Sequence, residues 1–166
     1  KHSNIIFCDD KNMILDSIKH VSSHMSSVRE VLPGREYFIP QTQDKLDPLT
    51  VDEETFIEVV CKKPCNISRA IYSSLTGISP VVAEEVCFRA SVDGSDAAQA
   101  LDEAAQVHLY HTFCRLMDQV REGDFTPNII YRGEEPVEYG VFAFQQYGPE
   151  YHSVEFGSVS EMLETY

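Results

Sequence analysis

The chain has 166 residues, 43% of them hydrophobic and 24% charged, with a formal net charge of −14. That is globular composition, enough for one ordinary domain or two small ones, and no run approaches the ~18 apolar residues a membrane span needs. The acidity argues against wholesale binding of a polyanion.

The charge is unevenly spread. Residues 1–48 hold six Lys/Arg against seven Asp/Glu, and residues 49–166 hold seven against twenty. If any part touches an anionic polymer, the first segment is therefore favoured, with the acidity of the second read as a solvated surface that aids solubility.

In chain order, "HSNIIFCDDKNMILDSIKHV" divides at Asp9-Asp10-Lys11-Asn12, a polar turn between two apolar runs, and predicts a β-hairpin. "VREVLPGREYFIP" repeats the pattern, with Pro33-Gly34 as turn and residues 36–39 as strand. "PQTQDKLDP" reads as an extended connection. Thr50 with Glu53 matches a capping box that opens a helix through Val60, and "KKP" stops it. Asn66 or Ser68 starts the next helix, which is expected to end at Gly77. Ser79-Pro80 restarts one, with Ser as N-cap and Pro in the first helical position. A long helix is predicted over 97–121, its stripe running through Leu101, Ala105, Leu109, Thr112, Leu116 and Val120. Three β runs follow, "NIIYR", "VEYGVFAF" and "HSVEF", before Ser158 and Glu161 cap a final helix. β structure, four clustered helices and β structure again make the class α+β. Neither end has a native look: Lys1 is not an initiator Met and Tyr166 interrupts "SVSEMLETY", so a piece of a longer chain is expected.

Five scattered cysteines, Cys8, Cys61, Cys65, Cys87 and Cys114, do not form a disulfide framework and suit a reducing cytosol. "CKKPC" lacks a second pair for zinc. His108, His111 and Cys114 lie at i, i+3 and i+6 of a helix, a sweep of about 600° that takes Cys114 off the His108 face. Asp9-Asp10, His20 and His24 read as loop chemistry. No phosphate loop, dinucleotide fingerprint, nucleophile elbow or metalloprotease motif occurs, so neither catalysis nor a cofactor or metal is expected.

"SSLTGISPVVAEEVCFRA" has the helix–turn–helix rhythm of a unit that grips a nucleic-acid backbone through free N–H groups. Gly77 and Ile78 fit that motif, but Ser79 stands where a second Gly is usual and Pro80 removes a donor. Glu84 and Glu85 are expected to face the would-be ligand. One such charge repels a phosphate roughly 7 Å away by about 0.6 kcal/mol, comparable to what an exposed helix terminus offers an anion. The pair is thus expected to be a packing unit with Ile71, Leu75, Ile78, Val82 and Val86 as its core. Exchanging both glutamates for Lys is expected to cost little stability.

Taken together, "KHSNIIF", "DSIKHV", "VREVLPGREYFIPQTQDKLDPL" and "LTGISPVVAEEV", followed by "FRA", resemble bacterial members of the NFACT family, also described as fibronectin-binding protein A-like. The likeness covers nearly the whole chain and keeps the motif order. It implies that residues 1–58 are the latter part of an N-terminal β-rich lobe, 59–123 a helix-hairpin-helix region, and 124–166 a β segment ending in a truncated helix. Lobe and hairpin together would be similar to the formamidopyrimidine-DNA glycosylase fold, whose N-terminal nucleophile could not be present here. The resemblance further implies a cytoplasmic, ribosome-associated quality-control role. Members bind large ribosomal subunits blocked by peptidyl-tRNA, recruit alanyl-tRNA and support alanine tailing. The family's Asp-Arg pair would lie upstream, and its coiled coil and C-terminal RNA-binding module are missing. The older name implies fibronectin as an alternative partner, in a surface adhesin; no membrane partner is implied. Lys1, His2, Ser3 and Asn4 match the family motif G-R/K-H-S-N, and with Lys19 and Arg35 they are the expected RNA-binding residues. The competing reading of each is turn and strand-end chemistry, with Asn4 tying down a backbone.

Overall fold

The structure, a computed structural model, describes residues 4–25, 30–37 and 44–166. It has the expected mixture of helices and small antiparallel sheets, in two compact units, Lys1–Asp44 and Lys45–Tyr166.

In the first unit, strand β1 (Ile6–Cys8) pairs antiparallel with β2 (Ile14–Ser17). Asp9 makes the turn. Its Oδ1 accepts from the backbone N–H groups of Lys11 (2.9 Å) and Met13 (2.8 Å), while Asn12 takes the left-handed φ of 60°. A third segment lies along β2: Ile14 N donates to Arg35 O, and Gly34 N donates to Ile14 O, both at 2.8 Å. Arg35 N closes the expected Pro33-Gly34 turn on Leu32 O at 3.1 Å, with Gly34 at φ 79° as a type II turn requires. Of the strand expected over 36–39, Glu36 pairs singly with Met13, and residues 38–39 lie outside the described residues. Ile14 and Val31 are the buried apolar side chains described here.

The second unit begins with a pinned strand. Leu46 N donates to Ser74 O (2.8 Å), Thr76 N donates to Leu46 O (2.9 Å), and the Lys45 ammonium donates to Tyr72 O (2.9 Å). These bonds satisfy carbonyls at the end of helix α2 (Ile67–Ser74), which Asn66 caps. They also explain why α2 stops at Ser74 rather than Gly77: Leu75 turns extended to lie beside Leu46. Gly77, at φ 75°, instead makes the turn into α3 (Pro80–Arg89), capped by Ser79 as expected.

Helix α1 (Glu53–Phe56) is capped by Asp52 and not by Thr50, which is held in a turn on the Asp47 carbonyl. It widens into a π turn over Ile57–Cys61 that buries Val60 and Cys61. Helix α4 (Glu103–Glu122) starts six residues later than the sequence predicts. Ala97 pairs with Asn66, Ala98–Ala100 form one 3-10 turn, and Asp102 is the cap. The core joins Phe56, Ile67, Ile71, Leu75, Val86, Leu109, Phe113 and Leu116, while Ile78 and Val82 pack against it half-buried. Strands β3 (Asn128–Arg132), β4 (Glu135–Gly140) and β5 (Tyr151–Glu155) form a sheet in the order β4-β3-β5, followed by α5 (Val159–Thr165). The central β3 buries Ile129 and Ile130, and Asn128 bonds the carbonyls of Thr126 and Phe142.

One expectation fails outright. Glu85 does not face a ligand; it is fully buried. Its carboxylate accepts from Arg89 Nε (2.6 Å), from Gln145 N (2.9 and 3.0 Å) and from Gln146 N (3.1 Å). Arg89 Nη2 donates onward to Ala143 O, and Gln146 Nε2 to Val81 O. A lysine at 85 would leave Arg89 and two amides facing another cation. Urea denaturation is expected to show Glu85→Lys destabilised by about 3–5 kcal/mol. The exposed Glu84→Lys should cost less than about 0.5 kcal/mol; small losses in both would mean that the Glu85 bonds do not hold the loop.

Burial raises the Cys61 thiol to about 11. It raises Cys87 to about 12, where the charges of Glu84 and Asp93 add to burial. Both thiols should therefore stay unreactive toward a disulfide reagent at pH 8 until the chain is unfolded, while the half-buried Cys8, Cys65 and Cys114 react earlier. Mass spectrometry of the labelled native protein checks this.

Candidate nucleic-acid interface

The expected RNA-binding residues fall in the first unit. Lys1, His2 and Ser3 lie outside the described residues. Asn4 lies at the open end of the β1–β2 ribbon and clamps it: its Nδ2 donates to Lys19 O (2.7 Å), and Lys19 N donates to its Oδ1 (2.9 Å). Ser17 Oγ also donates to Lys19 O, and Ile18 N donates to Ile5 O, both at 3.0 Å. The amide of Asn4 is thus engaged with backbone, and its role at this site is to position Lys19. That is the turn-chemistry reading of Asn4.

Arg35 leaves the Pro33-Gly34 turn and remains largely exposed, with its Nε 3.0 Å from Glu30 Oε2. It stands opposite Ile14, at the other end of β2 from Lys19. The strand β2 and the bend at Ile18-Lys19 that follows it separate the two cations along the ribbon. The ribbon therefore carries two separate cationic points and not one pocket. Between them lies Asp16, whose carboxyl is held below its ordinary value, first by the hydrogen bond with His20 (3.1 Å) and then by Ser17 N.

Sequence reasoning missed the apolar side of this ribbon. Ile5, Phe7 and Ile18 are 70%, 66% and 71% exposed, and with Asp16 and Ser17 they line a shallow cavity of about 320 Å³. The signal was there in "NIIFC": alternation sends Ile5 and Phe7 to one face, and the opposed register brings Ile18 beside them. Chemically, an exposed ring flanked by aliphatic carbons is a surface able to stack a flat group such as a nucleobase, with the Asp16 carboxylate on the same wall.

The helix pair offers less. In the first turn of α3, Pro80 has no N–H, Val82 N is capped by Ser79 Oγ (3.4 Å), and Ala83 N bonds Ser79 O. Among the described residues only Val81 keeps an N–H of that turn without a described partner. Ser79, Val81 and Val82 open onto an apolar cleft of about 300 Å³ walled by Phe142, Phe144 and Leu163, where a phosphate would lose its hydration without gaining donors. His111 lies 3.5 Å from Glu53, and no group of three metal-ligating side chains occurs among the described residues. Nor is any described helix long and apolar enough to cross a membrane.

A β ribbon joined in sequence to a helix pair and a three-stranded sheet describes a class of α+β scaffold. The chain belongs to the NFACT family, whose N-terminal and middle domains match residues 1–166. It is 31% identical over 167 residues to the Rqc2 homolog RqcH of Bacillus subtilis, an alignment that takes in all of this chain and 27% of that protein. Two solved structures share the fold. The N-terminal part of the fibronectin/fibrinogen-binding protein from Streptococcus suis has a TM-score of 0.68 at 24% identity, over 100% of this chain and 52% of that one. The fibrinogen binding protein from Staphylococcus aureus has a TM-score of 0.73 at 21% identity, over 98% and 54%. The chain therefore spans about a quarter of the curated relative's length and about half of each solved chain.

If Asn4 holds the ribbon end, Asn4→Ala removes two hydrogen bonds there. Exchange of the Lys19 amide with solvent should then accelerate at least about fivefold, the equivalent of about 1 kcal/mol. An unchanged rate would assign the closure to other contacts.

Proposed function

We propose that this chain is part of a ribosome-associated quality-control factor, cytoplasmic and free of catalytic chemistry of its own. In this reading the β ribbon meets tRNA or ribosomal RNA on a large subunit stalled with peptidyl-tRNA, and the whole protein supports alanine tailing. The observation that carries it is the likeness to an Rqc2 homolog along the entire chain. The near-neutral first unit, which carries Lys19, Arg35 and an exposed Phe7, is the part of the chain suited to RNA. The α2–α3 pair serves as a helix-hairpin-helix used for packing, its acidic surroundings turned away from phosphate.

A second reading, a fibronectin-binding surface adhesin, is favoured by the description of the Streptococcus suis structure. The two separate in one experiment on the intact protein. Binding to large subunits carrying tRNA is measured against salt, beside binding to immobilised fibronectin. Subunit binding should fall steeply with salt, and Lys19→Ala or Arg35→Ala should each weaken it across RNA sequences and lower the salt slope by about 1. Saturable fibronectin binding without subunit association at moderate salt would overturn the proposal.

A further inference from the structure

The second unit carries an opening of opposite character. A groove of about 620 Å³ runs along the outer face of α3, walled by Glu84, Phe88, Asp93, Gly94 and Gln146. Glu84 and Phe88 stand one helical turn apart on that face. Beyond Ala90 the chain reverses through Ser91, at φ 56°, and returns Asp93 and Gly94 to the rim. The Glu84 carboxylate lies over Gly94, where a Cβ would come within 2.2 Å of Glu84 Oε2, so the carboxylate sits close to bare backbone at the groove wall.

The charge of this groove is uncompensated. Among the described residues, neither Glu84 nor Asp93 takes part in an ion pair. Asp93 Oδ1 accepts from Ser95 N (2.8 Å) and Ser95 Oγ (2.6 Å), which fixes the carboxylate without neutralising it. Arg89, the cation of α3, is committed to Glu85 and the Ala143 carbonyl. Phe88 is 51% exposed, so the face of its ring is open to a ligand. The unit as a whole holds eight Lys/Arg against 21 Asp/Glu over residues 45–166, so no anionic ligand is drawn to it.

Two unpaired carboxylates, that of Asp93 fixed by Ser95, beside an open aromatic face complement one kind of group, a planar cation that stacks on the ring while its edge donates to the carboxylates. We propose that this groove docks an arginine side chain from a basic segment of a partner protein. The partner is a protein, not RNA, and the proposal stands apart from the ribosomal reading.

The test is an NMR titration of the 166-residue chain with the peptide acetyl-Gly-Arg-Gly-Arg-Gly-amide, beside its lysine counterpart. Amide shifts should concentrate at residues 84–95, and the arginine peptide should bind at least about threefold more tightly than the lysine peptide. Glu84→Gln and Asp93→Asn should each weaken binding about fivefold, and Phe88→Leu should erase the preference for arginine. The shift map of the unaltered chain needs no variant, so a misfolded substitution does not decide the matter. Shifts scattered over the acidic surface, equal affinity for the two peptides, or displacement of the peptide by a short RNA would overturn the proposal.

Discussion

A single buried carboxylate fixes how the helical and sheet parts of the larger unit meet. Glu85 projects from α3 into the core and receives the backbone of Gln145 and Gln146, while Arg89, one turn on, reaches the Ala143 carbonyl. A charge removed from water is costly unless every lone pair is answered. Here it is answered by a guanidinium and two amides, and the geometry admits one placement of the loop after β4. The apolar contacts of Phe142 with the helical core supply area; the ion pair supplies the address.

This arrangement explains what could and could not be read in advance. Turn chemistry is local, so Asp9-Asp10-Lys11-Asn12, Pro33-Gly34 and Ser79-Pro80 were legible, and "NIIYR" coincides with β3 residue for residue. The errors arose where a distant segment competed with a local signal. Thr50 has the spacing of a cap but is drawn into the Asp47 turn, and α2 gives up a turn before Gly77 because Leu46 pairs with Leu75. Glu85 was misread for the same reason. Its two backbone partners lie 60 and 61 residues away, and the one local sign that separates it from the exposed Glu84 is Arg89 four residues on.

The candidate interface was legible as a region but not as a mechanism. Charge bookkeeping singled out the first segment but was silent on Asn4, whose amide holds the Lys19 backbone as the competing turn-chemistry reading has it. Nor did it register Phe7, because an aromatic in an apolar run reads as core until the opposite face is found uncovered. The two units thus divide the electrostatic labour. One is near charge balance, with Arg35 paired to Glu30, and the other gathers negative charge around a helix that keeps its sole arginine for internal use.

The wide turn at Ile57–Cys61 has a bearing on how such a chain tolerates change over generations. A helix that accommodates one surplus residue can also lose it: shortening by a single codon within that stretch would restore ordinary pitch downstream and leave the inward faces of Phe56 and Val60 in register with their neighbours. Length variation among descendants should collect in that loop of the spiral, where the backbone already holds slack, and should avoid the cap at Asn66 that follows it.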